Sequence, residues 1–151
     1  MASSLTYPQD ANLLRVNSYI MHQNSPCKIV HLSKSKTGKH GGAKISFTVK
    51  GLFDDKRADG FVMSYDKVEC PLIKKHEFYV MDVEAANEEN DFKPFLSLMN
   101  EDDGSTRQDI RLDSEELIEK VYKAVVEDEK DVLVNVVQAM EKNRVVSFKM
   151  I

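Results

Sequence analysis

The chain has 151 residues, 42% hydrophobic and 30% charged, with six glycines, four prolines and two cysteines. That composition excludes disordered, collagen-like and disulfide-scaffold classes and suits one medium domain or two small ones. The net charge of −4 argues, as an average, against a nucleic-acid partner.

The opening residues, Met1-Ala2-Ser3-Ser4-Leu5-Thr6-Tyr7-Pro8, lack the basic and apolar regions of a signal peptide. No apolar run approaches the roughly 20 residues a membrane helix needs, so the expectation is a cytoplasmic protein with no membrane partner. In the first half, short apolar and β-branched runs at Ser18 to Met21, Cys27 to Val30, Ala43 to Val49 and Gly60 to Tyr65 read as strands of a small barrel. The third alternates, with Ile45, Phe47 and Val49 on one face and Lys44, Ser46, Thr48 and Lys50 on the other. Between the second and third, Ser33 to Gly42 has no apolar periodicity and holds Gly38, Gly41 and Gly42, which marks an exposed hairpin loop. Cys27 and Cys70 lack CxxC spacing and read as small buried hydrophobes.

At Cys70-Pro71-Leu72-Ile73-Lys74 the charge balance changes sign, which places a domain boundary between 73 and 74. Residues 1–73 carry 10 Lys and Arg against 6 Asp and Glu, and residues 74–151 carry 11 against 19, so a +4 domain is followed by a −8 domain. No acid occurs between Asp10 and Asp54, an interval that holds Arg15, Lys28, Lys34, Lys36, Lys39, Lys44 and Lys50. Such one-sidedness points to a polyanionic partner.

Beyond the boundary, strands are expected at Glu77 to Val83, Phe95 to Met99 and Asp109 to Leu112, with Glu84 to Asp91 as a long acidic loop. Asp113-Ser114-Glu115-Glu116 reads as a helix start capped by Asp113, and Leu117, Ile118, Val121, Tyr122 and Val125 form its apolar stripe. Strands at Val132 to Ala139 and Arg144 to Met150 then flank a hairpin turn at Glu141-Lys142-Asn143. Three strands, a helix and two strands is the order of an OB-fold. The expected architecture is mostly β, as two small barrels.

Ser35-Lys36-Thr37-Gly38-Lys39-His40-Gly41-Gly42 is the segment richest in chemistry. It is not a P-loop: His40 follows Gly38-Lys39, no glycine stands at the required earlier position, and a strand follows. His40 has no Ser, Cys or carboxylate at triad spacing, and His22, His31, His40 and His76 show no metal-ligand spacing. No metal, no bound cofactor and no catalytic residue is expected. Lys39, between Gly38 and His40, is free to project its ammonium from the loop tip.

Pro26-Cys27-Lys28-Ile29-Val30, followed by Ser35 to Gly41 and Ala43-Lys44, resembles the eukaryotic translation factor 5A family, whose members carry the modified lysine hypusine. Tyr7-Pro8 with Leu14-Arg15, Pro71 to Lys75, Leu96-Ser97-Leu98 and Asp109 to Leu112 extend the similarity through nearly the whole chain. The resemblance implies an SH3-like domain over 1–73 and an OB-fold over 74–151, with Lys39 as the modified lysine. It implies deoxyhypusine synthase as a partner, spermidine as aminobutyl donor, and a hydroxylase acting afterwards. It further implies a non-enzymatic elongation factor that binds the ribosome and positions peptidyl-tRNA at stalled sequences such as consecutive prolines, and that assists termination. Lys34, Lys36, Thr37, Gly38, His40, Gly41 and Lys44 would then make the contacts to tRNA and rRNA. Gly42 stands where eukaryotic members usually have His. On the residues alone, a general RNA-binding two-barrel protein remains the alternative.

Overall fold

The computed structural model describes residues 5–36 and 42–151. The chain divides into two compact units, Met1–Leu72 and Ile73–Ile151.

In the first unit, strands β2 (Tyr19–His22), β3 (Ser25–Lys36), β4 (Ala43–Gly51) and β5 (Arg57–Met63) form a four-stranded antiparallel sheet in that order. Strands β1 (Thr6–Asp10) and β6 (Lys67–Pro71) pair as a separate ribbon. The sequence runs did not signal that ribbon. Each strand is short and holds a proline, Pro8 and Pro71, which suits an edge but weakens a strand pattern. Burial explains the assembly. Leu14, Ile20, Cys27, Ile29, Phe47, Val49 and Cys70 make one core, so the ribbon closes the apolar face of the sheet through Cys70 and Val68. Both cysteines are free and buried, as their reading as small hydrophobes implies.

Strand β3 starts at Ser25 rather than at the expected Cys27 and β5 at Arg57 rather than at the expected Gly60, and two further boundaries differ next to the loop. Strand β3 runs six residues past Val30, so the paired hairpin reaches Lys36 and Ala43 and the connection shrinks to 37–42. Long-range pairing with the strongly alternating β4 supplies the order that the polar Ser33 to Lys36 lack on their own. Ser64 and Tyr65, read as the end of a strand, belong instead to a turn in which Asp66 Oδ2 accepts from the Met63 amide at 2.8 Å.

The second unit is a five-stranded antiparallel sheet ordered β11-β10-β7-β8-β9, built from β7 (Lys74–Val83), β8 (Leu96–Met99), β9 (Thr106–Arg107), β10 (Val132–Ala139) and β11 (Lys142–Met150). Helix α1 (Glu115–Tyr122) stands between its third and fourth strands and continues into a wider turn, Lys123–Glu127. The molecule is thus mostly β with one α-helix, although neither sheet closes into a ring. Val121 is fully buried, and Leu117, Ile118, Tyr122 and Val125 pack on a core that includes Leu98, Leu112, Val132, Val134 and Val136. The stripe is structural.

Local chemistry corrects four details here, the last being the hairpin turn expected at Glu141-Lys142-Asn143. Ser114, not Asp113, caps α1, its hydroxyl accepting from the Leu117 amide at 3.5 Å, and Asp113 accepts from Arg144 Nε at 3.2 Å. The third strand is Thr106–Arg107 and not Asp109 to Leu112. Arg107 forms a two-pronged pair with Asp109, at 3.0 and 2.7 Å, immediately before the segment in question. Ile110 and Leu112 are buried in the core, but the backbone of the segment is tied to its neighbours by the isolated Phe95–Arg111 bridge and the bonds from Leu96 N to Ile110 O and from Leu112 N to Pro94 O, with no strand ladder. Their alternation marked burial without a ladder. The acidic segment Glu84 to Asp91 contains one helical turn, Glu88–Asn90, with reciprocal caps between Asn87 and the buried Asn90. The last turn lies at Met140 and Glu141, both at positive φ (50° and 66°), as a tight hairpin turn requires.

Candidate functional site

Strands β3 and β4 present the lysine-bearing loop. Their pairing holds to the last described residues on either side, with Lys36 opposite Ala43, Ser35 opposite Lys44 and Lys34 opposite Ile45. Thr37, Gly38, Lys39, His40 and Gly41 lie outside the described residues. What the structure provides is the rigid stem on which they sit.

The stem divides the flanking lysines. Between Ile29 and His31 the β3–β4 register slips by one residue. Because side chains alternate along a strand, one extra residue exchanges the two faces. Before the bulge Cys27 and Ile29 point into the core; after it Leu32, Lys34 and Lys36 share a face with Phe47, Ile45 and Ala43. Ser33 and Ser35 fall on the opposite face with Ser46 and Lys44. Lys34 and Lys36 are therefore on one side of the hairpin and Lys44 on the other. Lys34 Nζ donates to the Asn12 carbonyl at 3.3 Å, and Lys44 Nζ stands 4.5 Å from the centre of the Phe61 ring.

A second contact fixes the root of the loop. The Ala43 amide donates to Ser64 Oγ and the Ser64 amide donates to the Ala43 carbonyl, each at 2.8 Å. Gly42 packs so tightly here that a Cβ on it would lie 2.3 Å from Ser64 Oγ and 3.0 Å from Tyr65 Cδ1. Only glycine fits beside this clasp without moving it. No periodicity reports such a contact, since Gly42 and Ser64 are far apart in sequence. Phe61 and Tyr65 carry no motif in the sequence; the available signal is their spacing of two on either side of Met63, the last residue of β5.

No group of His, Cys, Asp and Glu among the described residues is arranged to hold a metal. Burial pushes the Cys27 and Cys70 thiols up from their ordinary range, with Asp54 and Glu69 adding to it, so neither thiol is poised as a nucleophile.

Comparison with known proteins fits this arrangement. Residues 4–66 match the family model described as translation initiation factor 5A-like, N-terminal, and residues 72–149 match eukaryotic elongation factor 5A hypusine, DNA-binding OB fold. Eukaryotic translation initiation factor 5A-1 of Saccharomyces cerevisiae is 36% identical over 147 residues, covering 97% of this chain and 87% of that protein. The factor of Trypanosoma brucei brucei is 37% identical over 146 residues, with the same coverage. A solved family protein from Naegleria fowleri superposes with a TM-score of 0.78 at 32% identity, covering 96% of this chain and 99% of that one.

Two small β units in this order, each matched by its family model, mark the chain as a two-domain translation factor. The chain belongs to the eukaryotic translation factor 5A family. Members of that family are translation factors, not known enzymes. No helix among the described residues is long and apolar enough to cross a membrane.

Proposed function

We propose that Lys39 is the site of a hypusine-type modification and that the modified side chain positions peptidyl-tRNA on the ribosome. The observation that carries this reading is the paired stem: a loop of six residues, holding Lys39 among glycines, springs from a hairpin hydrogen-bonded up to Lys36 and Ala43. A stem of that kind brings the lysine-bearing segment to a fixed place.

Deoxyhypusine synthase would transfer the aminobutyl group of spermidine to Lys39 Nζ; a C–N bond of spermidine breaks, a new one forms on Nζ, and the remaining diamine leaves. Lysine is a strongly hydrated point charge on a flexible stem, and the extension adds a second amine and reach. Such a group contacts phosphate and ribose oxygens in a crevice that a folded surface cannot enter. Lys34, Lys36 and Lys44 add attraction to phosphates without reading bases. Peptide-bond chemistry remains with the ribosome. The factor orders the substrate, which lowers the entropic part of the barrier where consecutive prolines stall, and assists termination.

Intact and peptide mass measurement on the protein from its native cell tests the modification; an unmodified Lys39 peptide there refutes it. Lys39→Arg keeps a positive charge but removes the primary amine that accepts the aminobutyl group. It should leave the fold intact and abolish rescue of proline-stalled ribosomes, and full rescue by that variant would reject the mechanism.

A further inference from the structure

Apart from Lys44, the outer face of the four-stranded sheet holds side chains that the modified-lysine reading does not use. Across β3, β4 and β5 the register places Ser35, Lys44 and Met63 in one row, Ser33, Ser46 and Phe61 in the next, and His31, Thr48 and Asp59 in the third. Phe61 is 59% exposed on this face. Tyr65, 72% exposed, lies two residues past Met63, its ring Cδ1 3.0 Å from where a Cβ on Gly42 would stand at the root of the loop. Phe61 and Met63 thus make a stripe on this face, with Tyr65 in the turn just beyond it, beside Gly42 at the root of the lysine-bearing loop. Beside it, His31, Lys44, Ser46, Thr48, Asp59 and Phe61 line an open recess of about 380 Å3.

We propose that this stripe binds an unpaired RNA strand, with bases stacked on Phe61 and Tyr65 and a flanking phosphate held by Lys44. Isolated exposed hydrophobes are ordinary, but two aromatic rings spaced along a stripe with a lysine between them are the elements of a stacking platform. Lys44 lies over Phe61 already, and its ammonium is available to a phosphate next to a stacked base. The unit's excess of positive charge favours a polyanion over an apolar protein partner. Asp59 accepts from the Thr48 hydroxyl at 2.6 Å, and its carboxylate favours an amino-bearing base edge over a phosphate at that end of the recess. The inference shares with the proposed function an RNA partner for this unit, but it does not need the modified lysine.

The test is titration of the full chain, with Lys39 verified as unmodified by mass, against a 5′-labelled oligoadenylate of about 12 nucleotides, a length within the site sizes of such grooves. Phe61→Ala and Tyr65→Ala should each weaken binding about 5- to 100-fold, the range set by the loss of one base–aromatic stack. Phe61→Tyr should bind as wild type does, and Lys44→Gln should flatten the dependence of log K on log salt by about 0.7. Wild-type affinity in Phe61→Ala overturns the inference. So does wild-type affinity in Phe61→Leu, which would show a merely apolar surface, or a dimer that Phe61→Ala dissolves with no change in RNA binding. Because the chain is unmodified, the two readings fail separately. An unmodified native Lys39 ends the proposed function and leaves this titration standing, while an indifferent Phe61→Ala ends the stacking platform and leaves Lys39 untouched.

Discussion

Gly42→Ala tests the clasp at the root of the loop. The added methyl would sit 2.3 Å from Ser64 Oγ, a separation that real atoms do not sustain, so the hydroxyl must rotate away. Rotation costs the 2.8 Å bond from the Ala43 amide, worth about 1 kcal/mol net, and somewhat more because that amide is partly buried. The Tyr65 ring, 72% exposed, can swing aside at little further cost. The expected loss is about 1–2 kcal/mol. Ser64→Ala alone should lose about 1 kcal/mol by deleting the same acceptor. The double variant should cost little more than Ser64→Ala, since the obstruction and the bond disappear together, which leaves a coupling of about 1 kcal/mol in the cycle. Urea unfolding read by thiol accessibility is the right assay: Cys27 and Cys70 both lie in the first unit, and the second has no cysteine. A whole-chain signal would mix two units that need not unfold together. An unchanged midpoint in Gly42→Ala, or strict additivity in the double variant, would show that the clasp does not constrain the hairpin.

Gly60→Ala meets harder atoms, since a Cβ there would lie 2.8 Å from both Cε1 and Cζ of the buried Phe47 ring and 3.0 Å from His22 Cε1. It should cost about 1–3 kcal/mol by overpacking, measured by the same thiol assay; a stabilised variant would refute the contact. In the second unit, the Arg107 guanidinium holds the Asp109 carboxyl below the usual range. A depressed folded-state value stabilises above the unfolded carboxylate value near about 4, and that gain is lost as pH falls through the lower folded value. Asp109→Asn should therefore reduce stability at pH 7 by no more than about 1 kcal/mol, because the pair is largely exposed, and the two curves should converge in acid. Denaturant titrations at about pH 7 and about pH 3, followed by the helical circular-dichroism band that α1 gives the second unit, check this; a difference that grows in acid would contradict it.

Much of the architecture was legible because it rests on local periodicity. Ile45, Phe47 and Val49 alternate with polar residues and became the central strand β4; Leu117 to Val125 repeat at helical spacing and became α1 with its buried stripe. The lysine-bearing loop was legible for the opposite reason, as a glycine-rich stretch with no period between two that had one. The ribbon of β1 and β6 was not, since each strand gains order only from pairing with a segment about 60 residues away. The extension of β3 to Lys36 likewise came from its partner strand.

The amino-acid order alone determined the family, the mostly β character, the charge contrast between the halves and the position of Lys39, because each is written in neighbouring residues. Only the folded chain decided which lysines share a face. The one-residue bulge between Ile29 and His31 sends Lys34 and Lys36 to one side and Lys44 to the other, where it meets Phe61. The tight fit of Gly42 against Ser64 and Tyr65 is of the same kind. Register and close approach are set by distant strands packing over a common core, and no local pattern encodes them.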